Sequence, residues 1–91
     1  MAKSILQTER ECYICRVPNM ITQLHHCIHG TSNRKIADKY GLTVWLCPEH
    51  HEKLHRDREL DLYFIRLAQS KFEETHTREE FMAIFGKNWL D

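Results

Sequence analysis

Two spaced pairs of residues in this chain have the types and intervals of metal ligands. Cys12-x-x-Cys15 is a knuckle, and Cys47-x-x-His50 is its counterpart. Zinc takes four soft or borderline donors in a tetrahedron; a tight turn supplies two of them and a helix N-terminus the other two. A site whose four positions are all filled by protein is structural. The bland alternative is that these cysteines only pack in a core. It suits a lone Cys better than two x-x pairs in one short chain. Cys27 is left over and reads as a buried thiol. The 31 residues between Cys15 and Cys47 leave room for a hairpin-like excursion.

With His50 assigned to zinc, the chain still offers His25, His26, His29, His51, His55 and His76. His51 and His55 are four apart and therefore share one helix face. Successive helical residues are rotated by about 100°. One helix can thus aim His50 at the zinc and His51 and His55 at a second site. His25-His26 sits upstream on a candidate strand. Adjacent strand residues face opposite sides, but a distortion at a strand end can turn both into one site. A His-His doublet alone is ordinary surface chemistry; beside His51 and His55 it suggests a second metal.

These side chains must be held by short elements. Thr43-Val44-Trp45-Leu46 is a β-branched and aromatic run after Gly41 and predicts a strand. Pro48 fits the first position of a helix running through His55. Gln23 to Ile28 is a weaker strand candidate, which makes the order strand, long loop, strand, helix. Turns are expected at Pro18-Asn19, Gly30, Ser32-Asn33 and Gly41, and Ser4 to Glu11 has some helical character. Beyond residue 56 the pattern is helical. Asp57 fits an N-cap, Leu60, Phe64, Leu67 and Ala68 recur at helical spacing, and that helix is expected to reach about Glu74. Thr77 with Glu80 forms a capping box, and Gly86 can close the last helix. Phe81, Ile84, Phe85 and Trp89 read as its core face.

Cys12-Tyr-Ile-Cys15, His25-His26, and Leu46-Cys47-Pro-Glu-His50-His51 with His55 resemble the HNH, or His-Me finger, endonucleases. The similarity is greatest to the small HNH-type proteins of bacteriophages and prophages. Gly30-Thr-Ser-Asn33-Arg34-Lys35, Tyr40-Gly41-Leu42, and the tail from Arg58-Glu59 through Phe85-Gly86 and Asn88 are also like that subgroup. The resemblance implies an α+β fold: a small zinc-stapled ββα-metal core with a C-terminal helical extension. A single domain would span 1–91, with 1–11 a lead-in, 12–56 the core and 57–91 the tail. It further implies that His26 is the general base, that His25, His51 and His55 ligate a catalytic divalent ion, and that cleavage leaves 5′-phosphate and 3′-hydroxyl ends. The Asn that gives the family its name usually lies nine residues before the helix His, where this chain has Leu42. Asn33 takes its job from a different place, or backbone groups do.

Imidazole ligands suit Zn, Ni or Mn by softness, while phosphate and water oxygens would let Mg or Mn work. Arg34, Lys35 and Arg56 could contact DNA phosphates, and no base-reading element is visible, so low sequence specificity is expected. Overall charge is zero, but residues 1–58 hold nine Lys/Arg against six Asp/Glu, and residues 59–91 hold four against seven. The motif-rich half is thus mildly basic, which permits a polyanion without requiring one. No secretory signal or bilayer-length apolar run is evident, so a cytosolic setting away from membranes is expected, and the phage resemblance implies that the cell is a bacterial host. Proteins of phage packaging or recombination are further expected partners, and cutting both strands from one site would need a homodimer. The rival reading is a non-catalytic zinc module that binds nucleic acid or serves phage assembly.

Overall fold

A computed structural model describes residues 4–7, 9–16, 22–28 and 31–90. These residues form a small α+β structure with a two-stranded sheet and four helices. The order is β1 (Gln23–His26), α1 (Thr31–Tyr40), β2 (Thr43–Leu46), α2 (Pro48–Arg56), α3 (Arg58–Phe72) and α4 (Arg78–Phe85). β1 and β2 pair antiparallel, with Gln23 opposite Leu46, Leu24 opposite Trp45, His25 opposite Val44 and His26 opposite Thr43.

The segment expected to be a loop between the strands contains a ten-residue helix, α1. Ser32-Asn33, taken as a turn, lies inside it. Ala37 is fully buried, with Ile36 and Tyr40 half-buried beside it. Gly41 ends the helix in the left-handed conformation at φ 73°. Its N–H donates to the Asp38 carbonyl at 3.2 Å, and the Leu42 N–H donates to the Ala37 carbonyl at 2.8 Å. This is a Schellman cap, with Ala37 and Leu42 both buried, the apolar pairing that often accompanies the motif. Gly41 was therefore a helix stop signal and not only a turn before β2. The turns expected at Pro18-Asn19 and Gly30 lie outside the described residues.

Ser4 to Glu11 is not helical where it is described; it is a strap tied to the β2 end. Ser4 Oγ accepts the N–H groups of Leu6 and Gln7 and donates to the Thr43 carbonyl, and the Ile5 N–H donates to the Gly41 carbonyl at 2.9 Å. Gln7 accepts the Trp45 N–H at 2.8 Å and donates to the Glu11 carbonyl. Side chains that bond backbone in this way compete with helix formation.

α2 and α3 meet at Asp57, whose carboxylate accepts the Glu59 and Leu60 N–H groups at 3.1 and 3.2 Å. The core is aromatic. Phe64, Phe72 and Phe81 are almost fully buried. Phe72 lies 5.5 Å from Phe81 and 5.4 Å from Tyr40, so α1, α3 and α4 share one cluster. Tyr13 meets Phe64 edge-on at 5.4 Å and ties the first knuckle to α3. Fully buried Gln69 holds the tail: its amide donates to Asn88 Oδ1 at 2.8 Å, and its carbonyl accepts the Trp89 N–H at 2.8 Å. Phe81 and Phe85 are buried and Ile84 and Trp89 partly so, which makes that stripe core, as expected.

α4 starts with the expected capping box. Thr77 Oγ1 accepts the Glu80 N–H at 3.1 Å, and Glu80 Oε1 accepts the Thr77 N–H at 2.9 Å. Thr77→Ala should cost about 1 kcal/mol of stability in a denaturant melt. The hydrogen bond from the Thr77 backbone holds the Glu80 carboxyl below the usual carboxylate range. A folded pKa below the unfolded one stabilises above the ordinary carboxylate range, and that stability disappears as pH falls through the lowered value. The difference in melting temperature between wild type and Glu80→Gln should therefore be largest near neutrality and close in acid. A difference constant from pH 7 to pH 3 would refute the ionised box.

Candidate functional site

The first site is built where β2 runs into α2. Cys47 is the extended N-cap residue of α2, at φ −69° and ψ 159°, and Pro48 opens the helix. Cys47 and His50 are therefore presented from one helical turn. The other two donors come from the knuckle. Arg16 adopts a left-handed φ of 63°, and its N–H donates to the Cys12 carbonyl at 2.8 Å, closing the turn between Cys12 and Cys15. The Tyr13 N–H donates to the Trp45 carbonyl at 2.8 Å, which lays the knuckle against β2.

The four donors meet. His50 Nδ1 lies 3.2 Å from Cys47 Sγ and 3.5 Å from Cys12 Sγ, and Cys15 Sγ lies 3.8 Å from Cys47 Sγ. All four ligand atoms fall within 4.8 Å of one another, so the group can hold a metal ion. Burial alone would raise the Cys12 thiol. Backbone N–H groups of Cys15, Cys47 and Ile14, with the Cys15 side chain, outweigh it and bring the pKa down to about 6. The thiolate is the form that ligates. Cys27 stays outside this group, fully buried, and burial pushes its thiol up.

A different face of α2 carries His51 and His55. His25 is buried on β1, with its ring 5.3 Å from His51 and 6.3 Å from His55; His51 and His55 are 4.9 Å apart. The Phe64 ring, 6.3 Å away, packs His25 against the core. A cleft of about 370 Å³ is lined by Leu24, His25, His26, Arg34, His51 and His55. His25 and His26 both reach it because β1 ends there. Among the described residues, Cys12, Cys15, Cys47 and His50 are the one group of three or more donors brought together closely enough to hold a metal ion. Burial, then the neighbouring His55, lowers the pKa of His51 and favours its neutral, ligand-competent form.

Two partners of these rings were not anticipated. Gln23 Oε1 lies 2.7 Å from His51 Nδ1, and Asp38 Oδ1 lies 3.6 Å from His26 Nε2. Gln23 precedes His25 by two and so shares its strand face, a signal available in the sequence. Asp38 was hidden with its helix, where it follows Arg34 by one turn.

Arg34, Lys35 and Lys39 stand on α1 rather than on a loop. Of the residues expected to meet phosphate, Arg34 lines the cleft, while Lys35 and Arg56 are exposed and outside its lining. Asn33 is half-buried in the first turn of α1 and outside the lining as well. Beside His26 the tie is made by main chain: the Cys27 N–H donates to the Leu42 carbonyl at 3.0 Å. His29 is outside the described residues.

Fold and site define a small α+β protein with a Cys₃His group able to hold a metal, next to a histidine-lined cleft. Comparison of the chain with protein-family models, with curated proteins and with solved structures finds no match. Among the described residues no helix is long and apolar enough to cross a membrane.

Proposed function

We propose that the protein is a metal-dependent DNA endonuclease of the HNH kind, with low sequence specificity. The observation that carries this reading is the single cleft that gathers His25, His26, His51, His55 and Arg34. Two antiparallel strands leading into α2 supply the ββα order the resemblance implies, with α1 inserted between the strands.

Zinc fits the cysteine cluster. A tetrahedral ion with Zn–S near 2.3 Å and Zn–N near 2.0 Å has S···S edges of about 3.8 Å and S···N edges of about 3.5 Å. The observed separations of 3.8, 3.5 and 3.2 Å are close to those edges. Cys12, Cys15, Cys47 and His50 would hold it, fixing the start of α2 and hence the aim of His51 and His55.

In the cleft, His25, His51 and His55 would hold a divalent ion (Mn²⁺, Mg²⁺, Ni²⁺ or Zn²⁺). Such an ion supplies positive charge for a phosphate oxygen and the departing 3′ oxygen. His26 takes the proton of the water that attacks phosphorus. The P–O3′ bond breaks, leaving a 5′-phosphate, and the 3′ oxygen leaves as a hydroxyl after protonation from water. Asp38 Oδ1, 3.6 Å from His26 Nε2, faces the positive charge of that ring once it has taken the proton. Arg34 meets a phosphate oxygen as a charge-assisted donor. The Leu42 carbonyl steadies the strand end that bears His26, the task a side-chain Asn performs in the family.

The direct test is incubation of purified protein with supercoiled plasmid and each ion, with EDTA in parallel. Metal-dependent nicking is the expected result. A zinc-loaded, folded protein that fails to cut with every one of these ions would sink the reading. It would favour the second one, a zinc-stabilised nucleic-acid or assembly module, whose support is that fully buried Leu42 occupies the Asn slot.

A further inference from the structure

We infer that Gln23 is a positioning residue for His51: its side-chain carbonyl accepts the Nδ1–H of His51 and so reserves Nε2 for a metal in the cleft. The inference rests on the histidine cleft being a metal site.

The geometry has three parts. First, Gln23 Oε1 and His51 Nδ1 are 2.7 Å apart, too close for anything but a hydrogen bond. Second, both backbones are fixed. Gln23 pairs with Leu46 across the sheet, one residue before the metal-ligating Cys47, and the His51 N–H donates to the Cys47 carbonyl at 2.9 Å. The side-chain torsions of His51 are then the remaining freedom, and the hydrogen bond to Gln23 restrains them. Third, the lining of the cleft includes His51 together with His25 and His55, while Gln23 is not part of it. The amide thus engages His51 from outside the ligand set. In a neutral imidazole one nitrogen donates and the other accepts, and a hydrogen bond to one decides which nitrogen binds metal. An acceptor at Nδ1 forces the lone pair onto Nε2. Groups of this kind change metal affinity by about 10–100-fold when removed.

The experiment uses the full chain with its cysteine cluster zinc-loaded. Long-range ¹H–¹⁵N spectra report the tautomer of His51, and calorimetry with Ni²⁺ reports the cleft affinity. Wild type should show His51 as the Nδ1–H form. Gln23→Leu should move it towards Nε2–H and weaken Ni²⁺ binding by about 10–100-fold. Gln23→Glu, which keeps an acceptor in place, should retain both properties. Zinc content and melting temperature should match in all three proteins, which separates positioning from folding. A wild-type His51 in the Nε2–H form, or Gln23→Leu with unchanged Ni²⁺ affinity, overturns the inference while leaving the metal site standing. Failure of the metal reading looks different: wild type then takes up no Ni²⁺ in the cleft, and the inference falls with it.

Discussion

Cys47→Ser should abolish cooperative folding rather than merely weaken it. Structural zinc contributes on the order of 10–16 kcal/mol of apparent binding energy in small zinc domains, while a whole domain is stable by only about 5–15 kcal/mol. In a chain of 91 residues a zinc held as proposed would therefore be comparable with everything else. Cys47 has a second role that magnifies the effect. It is the N-cap residue from which α2 starts, and α2 carries His50, His51 and His55. Losing the proposed ligand bond would free the helix that the cysteine group and the histidine cleft share. Far-ultraviolet circular dichroism with a metal assay would show a non-cooperative melt and loss of bound zinc, and prolonged chelation of wild type should reproduce it. Cys27→Ser is the matched control: it removes a buried thiol outside the cluster and should leave zinc content unchanged. A Cys47→Ser protein with wild-type melting and no zinc would show that the aromatic core suffices and that the cluster is dispensable.

His26→Ala should reduce plasmid nicking by about 10²–10⁴-fold, the usual contribution of a positioned general base. The fold should survive. His26 is paired through its backbone with Thr43, and its side chain lies at the end of β1 beside Asp38 rather than in the aromatic core. Zinc content, melting temperature and Ni²⁺ uptake by the cleft should match wild type, so the loss is assigned to the base and not to the metal. Added imidazole should restore part of the activity by filling the space. Undiminished nicking by a folded His26→Ala protein would remove His26 from the mechanism and point to a different base in the cleft.

Much of this arrangement is legible in the sequence alone. Two x-x pairs marked the metal cluster because a turn and a helix start are the local shapes that place two donors three residues apart. The i, i+4 spacing of His51 and His55 fixed their common face, and His50 points elsewhere for the same reason. Asp57, Thr77 with Glu80, and Gly86 carry their capping roles in their own side chains or backbone freedom. All of these are decided within about four residues of chain.

Contacts between distant segments decided the rest. α1 has a short apolar face made only of Ile36, Ala37 and Tyr40, and Ser32-Asn33 near its start reads as a turn; packing of Tyr40 on Phe72 makes it worth forming. Once α1 exists, Arg34 is carried to the cleft, Asp38 to His26, and the Leu42 carbonyl to the strand end. Ser4 to Glu11 went the other way, because Ser4 and Gln7 found better partners on β2 than in a helix of their own. The sequence by itself determined which residues could bind a metal and on which element faces they lie. Only the tertiary structure decided which neighbours orient them, because a strand end, a helix cap and a strap must first be packed together before one side chain can meet another.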